Sequence, residues 1–274
     1  EPGVAVPAIA RAAMDMGTVI LENCAVRSIE TSAGHVSGVV TEMGEIACSS
    51  VVVAGGVWSR LFLGNLGVTF PQLKLIGSVE RIETSGQVPE FPVGGSDFSF
   101  RRRDDGGYTI SRRNATYVQI VPDSFRFFFD FLPTLKTSWR QLRLRVGNHF
   151  VEEIKMPKKW AADSVTPFEK FRIMDPAPHG GMNREAVTNL IRAFPAFGDA
   201  RVTHQWGGLI DSTPDAVPVI SPVASMPGLY LSSGYSGHGF GIGPGAGRLM
   251  ADIVNNDTPI VAPEPFRLER LTQK

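Results

Sequence analysis

The spacing of apolar and polar positions changes character twice along this chain. Residues 7–16 (PAIARAAMDM) repeat apolar side chains at helical spacing, with Pro7 in the first turn and Gly17 as a stop. Residues 18–22 are short and β-branched and read as a strand. Residues 26–31 and 36–43, joined by Ser32-Ala33-Gly34-His35, read as a hairpin. The unbroken apolar run at 50–54 has the pattern of a strand buried on both faces, and 58–66 follows it as a helix. From residue 74 the pattern alternates, with Leu75, Gly77, Val79 and Arg81 on one side and Ile76, Ser78, Glu80 and Ile82 on the other. Further short strands at 98–103, 108–112 and 117–121 make this an antiparallel sheet with one wet face. Residues 124–146 read as helical with a break at Pro133, 157–180 as loop, and 183–194 as a helix capped by Asn183. The last third returns to α/β character. It has strands at 201–210 and 228–232, then a helix over 244–255 with Pro244 in its first turn and Leu249, Met250, Ile253 and Val254 on one face.

These switches predict a discontinuous organisation. Residues 1–66 and 203–274 build one α/β unit, and 67–202 are inserted into it as an α+β domain. A chain of 274 residues with 43% hydrophobic and 20% charged residues has ordinary globular composition. Its 27 basic and 27 acidic residues cancel, and nothing in the balance suggests a nucleic-acid footprint or a polybasic membrane tail. Cys24 and Cys48 form no CxxC pair, no zinc spacing occurs, and both sit in apolar surroundings as small hydrophobes; this fits a reducing compartment. No apolar run approaches the roughly 20 residues that span a bilayer. The opening Glu1-Pro2-Gly3 reads as a cut from something longer.

The most informative stretch is Ser232 to Gly247, with seven glycines in the fourteen residues from Gly234 on. It joins a buried strand to a helix N-terminus. Glycine lets backbone approach a flat ligand, and the helix start offers free N–H groups and partial positive charge. Reduction of a flavin puts negative charge on its N1–C2=O edge, so such a ring suits the place. Gly234-Tyr235-Ser236-Gly237-His238 is also one residue away from G-x-S-x-G, which raises a serine hydrolase using Ser236. That fold needs a histidine well after the serine, and His238 is the last of five.

Four segments, in order, carry a resemblance. They are Pro7 to Gly17 followed by Val19, Val26 and Ile29; Val51-Val52-Val53-Ala54-Gly55-Gly56-Val57-Trp58-Ser59; Trp206-Gly207-Gly208-Leu209-Ile210-Asp211-Ser212-Thr213-Pro214-Asp215-Ala216-Val217-Pro218; and Gly228-Leu229-Tyr230 through Gly239-Phe240, Pro244 and Gly247-Arg248-Leu249. Together they resemble the flavoprotein family of D-amino-acid oxidase, glycine oxidase, sarcosine oxidase and the small chain of D-amino-acid dehydrogenases. The resemblance implies an α/β plus α+β fold: part of a Rossmann-like, glutathione-reductase-type FAD-binding domain with an inserted antiparallel-sheet substrate domain. It implies FAD as cofactor, with Val26 near the adenine. Ala54, Gly55, Trp58, Gly234, Gly237, His238, Gly239, Phe240, Gly241 and Ile242 are implied around the flavin. No metal is implied.

Two departures qualify what is implied. No G-x-G-x-x-G occurs, so the βαβ unit that takes the pyrophosphate, ~100–150 residues at the family's N-terminus, is expected upstream. This piece in isolation is expected to bind FAD poorly. Second, the carboxylate anchors of the family fall on Ile210 and Gly241. Arg112 and Arg113, after Tyr108-Thr109-Ile110, are the replacement candidates, because an arginine fork grips a carboxylate at two points. His238 is a catalytic candidate or a flavin contact. The expected reaction oxidises the C–N bond of an amino acid or secondary amine by hydride transfer to flavin N5, giving an imine that hydrolyses. Expected partners are the small-molecule amine or amino acid and an electron acceptor, oxygen or a quinone chain. The expected place is the cytoplasm or the inner face of a membrane. The rival class is a truncated, non-catalytic binding or scaffold polypeptide.

Overall fold

A computed structural model describes residues 1–272. Helix α1 (Pro2–Asp15) is followed by strands β1 (Val26–Ser32), β2 (His35–Thr41), β3 (Gly44–Ala47) and β4 (Val51–Val53), then helix α2 (Ser59–Asn65). Next come β5 (Leu73–Glu83), β6 (Val93–Gly94), β7 (Ser99–Arg102), β8 (Tyr108–Ser111) and β9 (Thr116–Gln119). Helices α3 (Pro122–Arg126) and α4 (Phe128–Ser138), strand β10 (Leu142–Arg145), and helices α5 (Asn148–Lys155), α6 (Pro167–Lys170) and α7 (Gly180–Ala193) complete the middle. The chain ends with β11 (Arg201–Ser212), β12 (Val219–Pro222), β13 (Leu229–Ser233) and α8 (Gly239–Asn255).

Three sheets result. The hairpin β1–β2 forms as its pattern predicts and gains β3 as a third strand. β13 lies between antiparallel β12 and parallel β4, and α8 packs on β12 and β13 through Ala246, Leu249 and Met250. The third sheet has seven strands, with β5 at its centre, paired to β8 and β9 on one side and to β11 along its whole length on the other. Residues 203–212 therefore lie in the middle sheet, although the pattern groups them with the discontinuous unit.

The alternation in β5 reads as predicted: Ile76, Ser78, Glu80 and Ile82 are buried, and the odd positions from Leu75 to Arg81 are half-buried. Helix α7 covers the even face, with Ala186 and Leu190 against Ile82 and Ile110.

Several expectations fail for local reasons. Residues 18–22 form no strand, because no neighbour pairs with them. β4 is an edge strand, and Val52 is 40% exposed rather than buried on both faces. Pro133 lies inside α4, and the chain turns earlier, at Phe127. Residues 142–145 are a strand because β9 offers them a parallel edge. Helix α7 begins at Gly180 with His179 as its cap, whose Nδ1 accepts from Met182 N at 3.1 Å. Asn183 is a buried core residue whose Oδ1 accepts from Ser78 Oγ at 2.8 Å. Cys24 and Cys48 are free and half-buried.

The segment read as loop is strapped down. Glu169 receives the Arg27 guanidinium at 2.8 and 3.1 Å, Glu42 receives Arg172 at 2.6 and 2.7 Å, and Trp160 Nε1 donates to Arg27 O. The arginines hold both carboxyls down at about 2.

Glu80 offers a pH test. It is 1% exposed; Oε2 accepts from Gln205 Nε2 at 2.7 Å and Oε1 has no partner. Burial pushes its carboxyl up, opposed by the Gln205 bond. A raised carboxyl means the folded state holds its proton longer than the unfolded chain, so stability falls as pH climbs from the ordinary carboxylate range through the raised value. Glu80→Gln removes that slope. Urea unfolding is expected to show the variant gaining on the wild type as pH rises above the ordinary carboxylate range, and a constant difference would refute the account.

Candidate functional site

Strand β13 ends at Ser233, and the chain then makes a turn that only a particular backbone allows. Gly234 has φ +83°, and a Cβ on it would collide with Cγ2 of Thr213. Ser236 follows at φ 51° and Gly237 at +88°. Helix α8 begins at Gly239, five residues before the expected Pro244. Pro244 falls inside the helix, where its ring does not end the run.

This early start decides which glycines line the cavity. At 3.6 residues per turn, Gly239, Gly243 and Gly247 stack on one helix face. All three line an open cavity of about 570 Å³, together with Phe240 and Gly237. A Cβ on Gly243 or Gly247 would meet nothing within 4 Å. The opposite wall is Ala54 and Gly56 after β4, with Ile210 and Asp211 of β11 closing the end. The N-cap His238 makes no side-chain cap bond, so the helix start presents backbone N–H groups and its positive end beside Gly239 and Phe240.

The turn is held by a node that the sequence pattern does not reveal. Asp211 Oδ2 accepts from Gly234 N at 2.5 Å, Ser233 Oγ at 3.2 Å and Gln72 Nε2 at 3.4 Å. Gln72, 3% exposed, also donates to Gly56 O at 3.0 Å, and its Oε1 accepts from Arg60 N. Ser236 N donates to Asp211 O at 2.8 Å. One carboxylate and one amide thus join both walls of the cavity. A polar pair beside the glycines, at the starts and ends of apolar strands, was the available signal.

Ser236 Oγ donates to Gly234 O at 3.1 Å and accepts from Thr213 N at 3.3 Å. The hydroxyl is tied into its own turn, and no hydrogen bond among the described residues links it to a histidine, which removes the basis for a serine hydrolase.

Of the residues expected around the flavin, Ala54, Gly237, Gly239 and Phe240 line the cavity. Gly241 and Ile242 are exposed and off its face, turned away by the helix that begins at Gly239. His238 is exposed and does not line it. Gly234 shapes the turn from behind, Gly55 precedes the wall residue Gly56, and Val26 starts β1 away from it. Trp58 instead packs edge-on against Phe168, ring centroids 5.2 Å apart.

Arg112 and Arg113 are adjacent but engaged differently. Arg112 contacts Glu185 of α7 at 3.4 Å and donates to Asp97 O at 2.6 Å. Arg113 donates to Gly95 O at 3.1 Å, and among the described residues no carboxylate pairs with it. Neither arginine lines the cavity.

Gly77 pairs with Gly208 in the β5–β11 register, between Val79 opposite Trp206 and Leu75 opposite Ile210. Cross-strand partners share a face, so this apolar strip is continuous with Ile210, which lies under Gly237 and whose Cδ1 reaches over Gly77. A Cβ on Gly208 would meet nothing within 4 Å.

The family model described as FAD dependent oxidoreductase (DAO) matches residues 1–253. The chain belongs to this family. The family's cofactor is FAD, and the bare glycine stripe fits it: a flat ring meets backbone there with no Cβ between. The chain is similar to glycine oxidase from Pseudomonas putida, 23% identical over 90% of the chain and 53% of that protein. It is similar to D-amino acid dehydrogenase from Bradyrhizobium diazoefficiens, 25% identical over 97% of the chain and 51% of that protein. Among solved structures it superimposes on the L-amino acid deaminase from Proteus vulgaris with a TM-score of 0.92 and 35% identity, over 98% of the chain and 63% of that structure. The chain thus spans about half the length of these curated relatives. Its fold is that of DAO-type flavoenzymes, with mixed α/β content and antiparallel sheets. Among the described residues no helix is long and apolar enough to cross a membrane, and no cluster of side chains could hold a metal ion.

Proposed function

We propose that the full-length protein oxidises an amino acid with an apolar side chain at its C–N bond, passing a hydride to FAD and releasing an imine that water hydrolyses. The observation that carries this reading is the apposition of the bare α8 stripe, Gly239, Gly243 and Gly247, with the apolar face of β5 and β11 at Ile210. FAD, when bound, supplies the hydride acceptor. This chain's own residues do the rest. Gly237, Gly243 and Gly247 leave room for a ring, and the start of α8 faces developing negative charge with backbone N–H groups. The Gly77–Gly208 pair receives the substrate side chain between Trp206 and Ile210, and these walls exclude water from it. The likeness to a solved L-amino acid deaminase supports an amino-acid substrate. The electron acceptor in this reading is oxygen or a quinone chain, and the protein works in the cytoplasm or against the inner face of a membrane. Residues 1–66 and those after β11 form the cofactor unit.

Arg113 is the carboxylate anchor in this reading. It lies just past the end of β8, outside the cavity lining, and beyond its bond to Gly95 O its guanidinium has donors to spare. Arg112 is engaged with Glu185 of α7. Arg113→Ala in the full-length enzyme is expected to raise KM for amino acids, by roughly 2–4 kcal/mol of lost binding if bound substrate buries the pair, with partial recovery in Arg113→Lys. Arg112→Ala should leave KM near wild type. Steady-state kinetics checks both; an Arg113→Ala enzyme with unchanged KM would leave the carboxylate held elsewhere. A full-length protein that purifies without flavin absorbance would favour the scaffold reading.

A further inference from the structure

A second cavity, of about 530 Å³, opens on the opposite face of the same sheet. Its floor is Ile76, Leu209 and Val121, and Phe171 and Met174 close over it. Ile76 and Leu209 are cross-strand partners, so strand alternation turns both away from Gly77 and Ile210. The cavity is therefore behind the strip that faces the glycine cradle, with β11 between them. Its size is that of a pocket for a small organic ligand.

Two observations show spare binding chemistry there. Gln119 lines the cavity, and its Oε1 is buried without a hydrogen-bond partner. Such an orphan acceptor costs about 1–3 kcal/mol, and a ligand that donates to it removes that cost. The rim carries three lysines and three carboxylates, and two of the lysines have free ammonium groups. Glu153 is taken by Lys74 at 2.6 Å and Glu152 by His149 Nδ1 at 3.0 Å. Lys155 and Lys170 have no ion-pair partner among the described residues, with the carboxylates of Glu152 and Asp175 elsewhere on the lining.

We propose that this cavity binds a small amphipathic carboxylate. Its apolar ring or branched chain fills the space over Ile76 and Val121, an N–H or O–H donates to Gln119 Oε1, and its carboxylate meets Lys155 and Lys170 at the mouth. Because β11 stands between this ligand and the cradle, it is not the substrate.

Indole-3-acetate has an apolar bicycle, one N–H and one carboxylate, and serves as the probe. Calorimetric titration of the full-length protein is expected to show one equivalent bound, equally in flavin-loaded and flavin-stripped samples and in Arg113→Ala. The result is thus independent of the flavoenzyme reading. 1-Methylindole-3-acetate, which lacks the donor, should bind about tenfold more weakly to wild type and equally well to Gln119→Leu. Lys155→Glu combined with Lys170→Glu should weaken indole-3-acetate about tenfold and flatten its salt dependence. Met174→Trp, at the half-buried cover, should block binding without touching the sheet. No binding at millimolar probe overturns the proposal. So does a preference for the N–H probe that survives in Gln119→Leu, or loss of binding in Arg113→Ala, which would place the probe in the substrate site.

Discussion

Gly247→Val is expected to strip flavin from the full-length protein while leaving its fold at least as stable. Gly247 is the last of the three glycines that α8 turns toward the cavity, and Arg248 follows it, whereas Gly243 precedes Pro244 and a side chain there would meet the proline ring in helical geometry. A Cβ there meets no protein atom within 4 Å, so valine brings no internal clash. Replacing glycine inside a helix also recovers up to about 0.5 kcal/mol of helix propensity. The added methyl groups instead occupy the space in which a ring would lie against bare backbone. Flavin affinity is expected to fall at least about a hundredfold, on the order of 3 kcal/mol, with an unchanged or raised thermal midpoint for the flavin-free protein. Gly239→Val is a poorer test. A Cβ at Gly239 would lie 3.1 Å from Cβ of Tyr235, so that variant strains the turn as well as the cavity. Flavin absorbance against protein concentration reads the first effect and calorimetry the second. Stoichiometric flavin in Gly247→Val would mean that the stripe does not face the ring.

The second large effect belongs to Asp211. Its Oδ2 gathers the Gly234 amide, the Ser233 hydroxyl and the Gln72 amide, and so joins the end of β13 to β11 and to the turn after β4. Asp211→Ala leaves the Gly234 N–H without its acceptor and weakens the node. Lost bonds to a charged acceptor together with unsatisfied donors cost about 2–4 kcal/mol. The loop that shapes the cavity should loosen before the sheets do. Hydrogen exchange at Gly234 to Phe240 is expected to speed up more than exchange in β5 or α7. Asp211→Asn keeps an acceptor oxygen and should recover much of the loss. Equal protection in Asp211→Ala and wild type would show that the backbone turn holds itself.

The sequence by itself determined the element types wherever one face of an element is buried. Alternation in β5 marked which side α7 covers, and the hairpin of β1 and β2 announced itself through Ala33-Gly34 and its flanking apolar residues. It also marked the glycine segment and, by resemblance, the FAD-dependent family to which the chain belongs. Composition and local pattern suffice there because burial and turn geometry act on neighbouring residues.

Only the tertiary structure decided the rest. Whether β11 joins β5 or stays with β13 depends on pairing between residues far apart in the chain. Residues 142–145 became a strand because β9 presented an edge, which no local pattern encodes. The start of α8 at Gly239 selected Gly243 and Gly247 for the cavity and turned Gly241 and Ile242 away, since one residue shifts a helix by about 100°. Arg112 and Arg113 were equal candidates as adjacent letters. Glu185 of α7, in reach of Arg112 and not of Arg113, separated them into a structural cation and one with free donors.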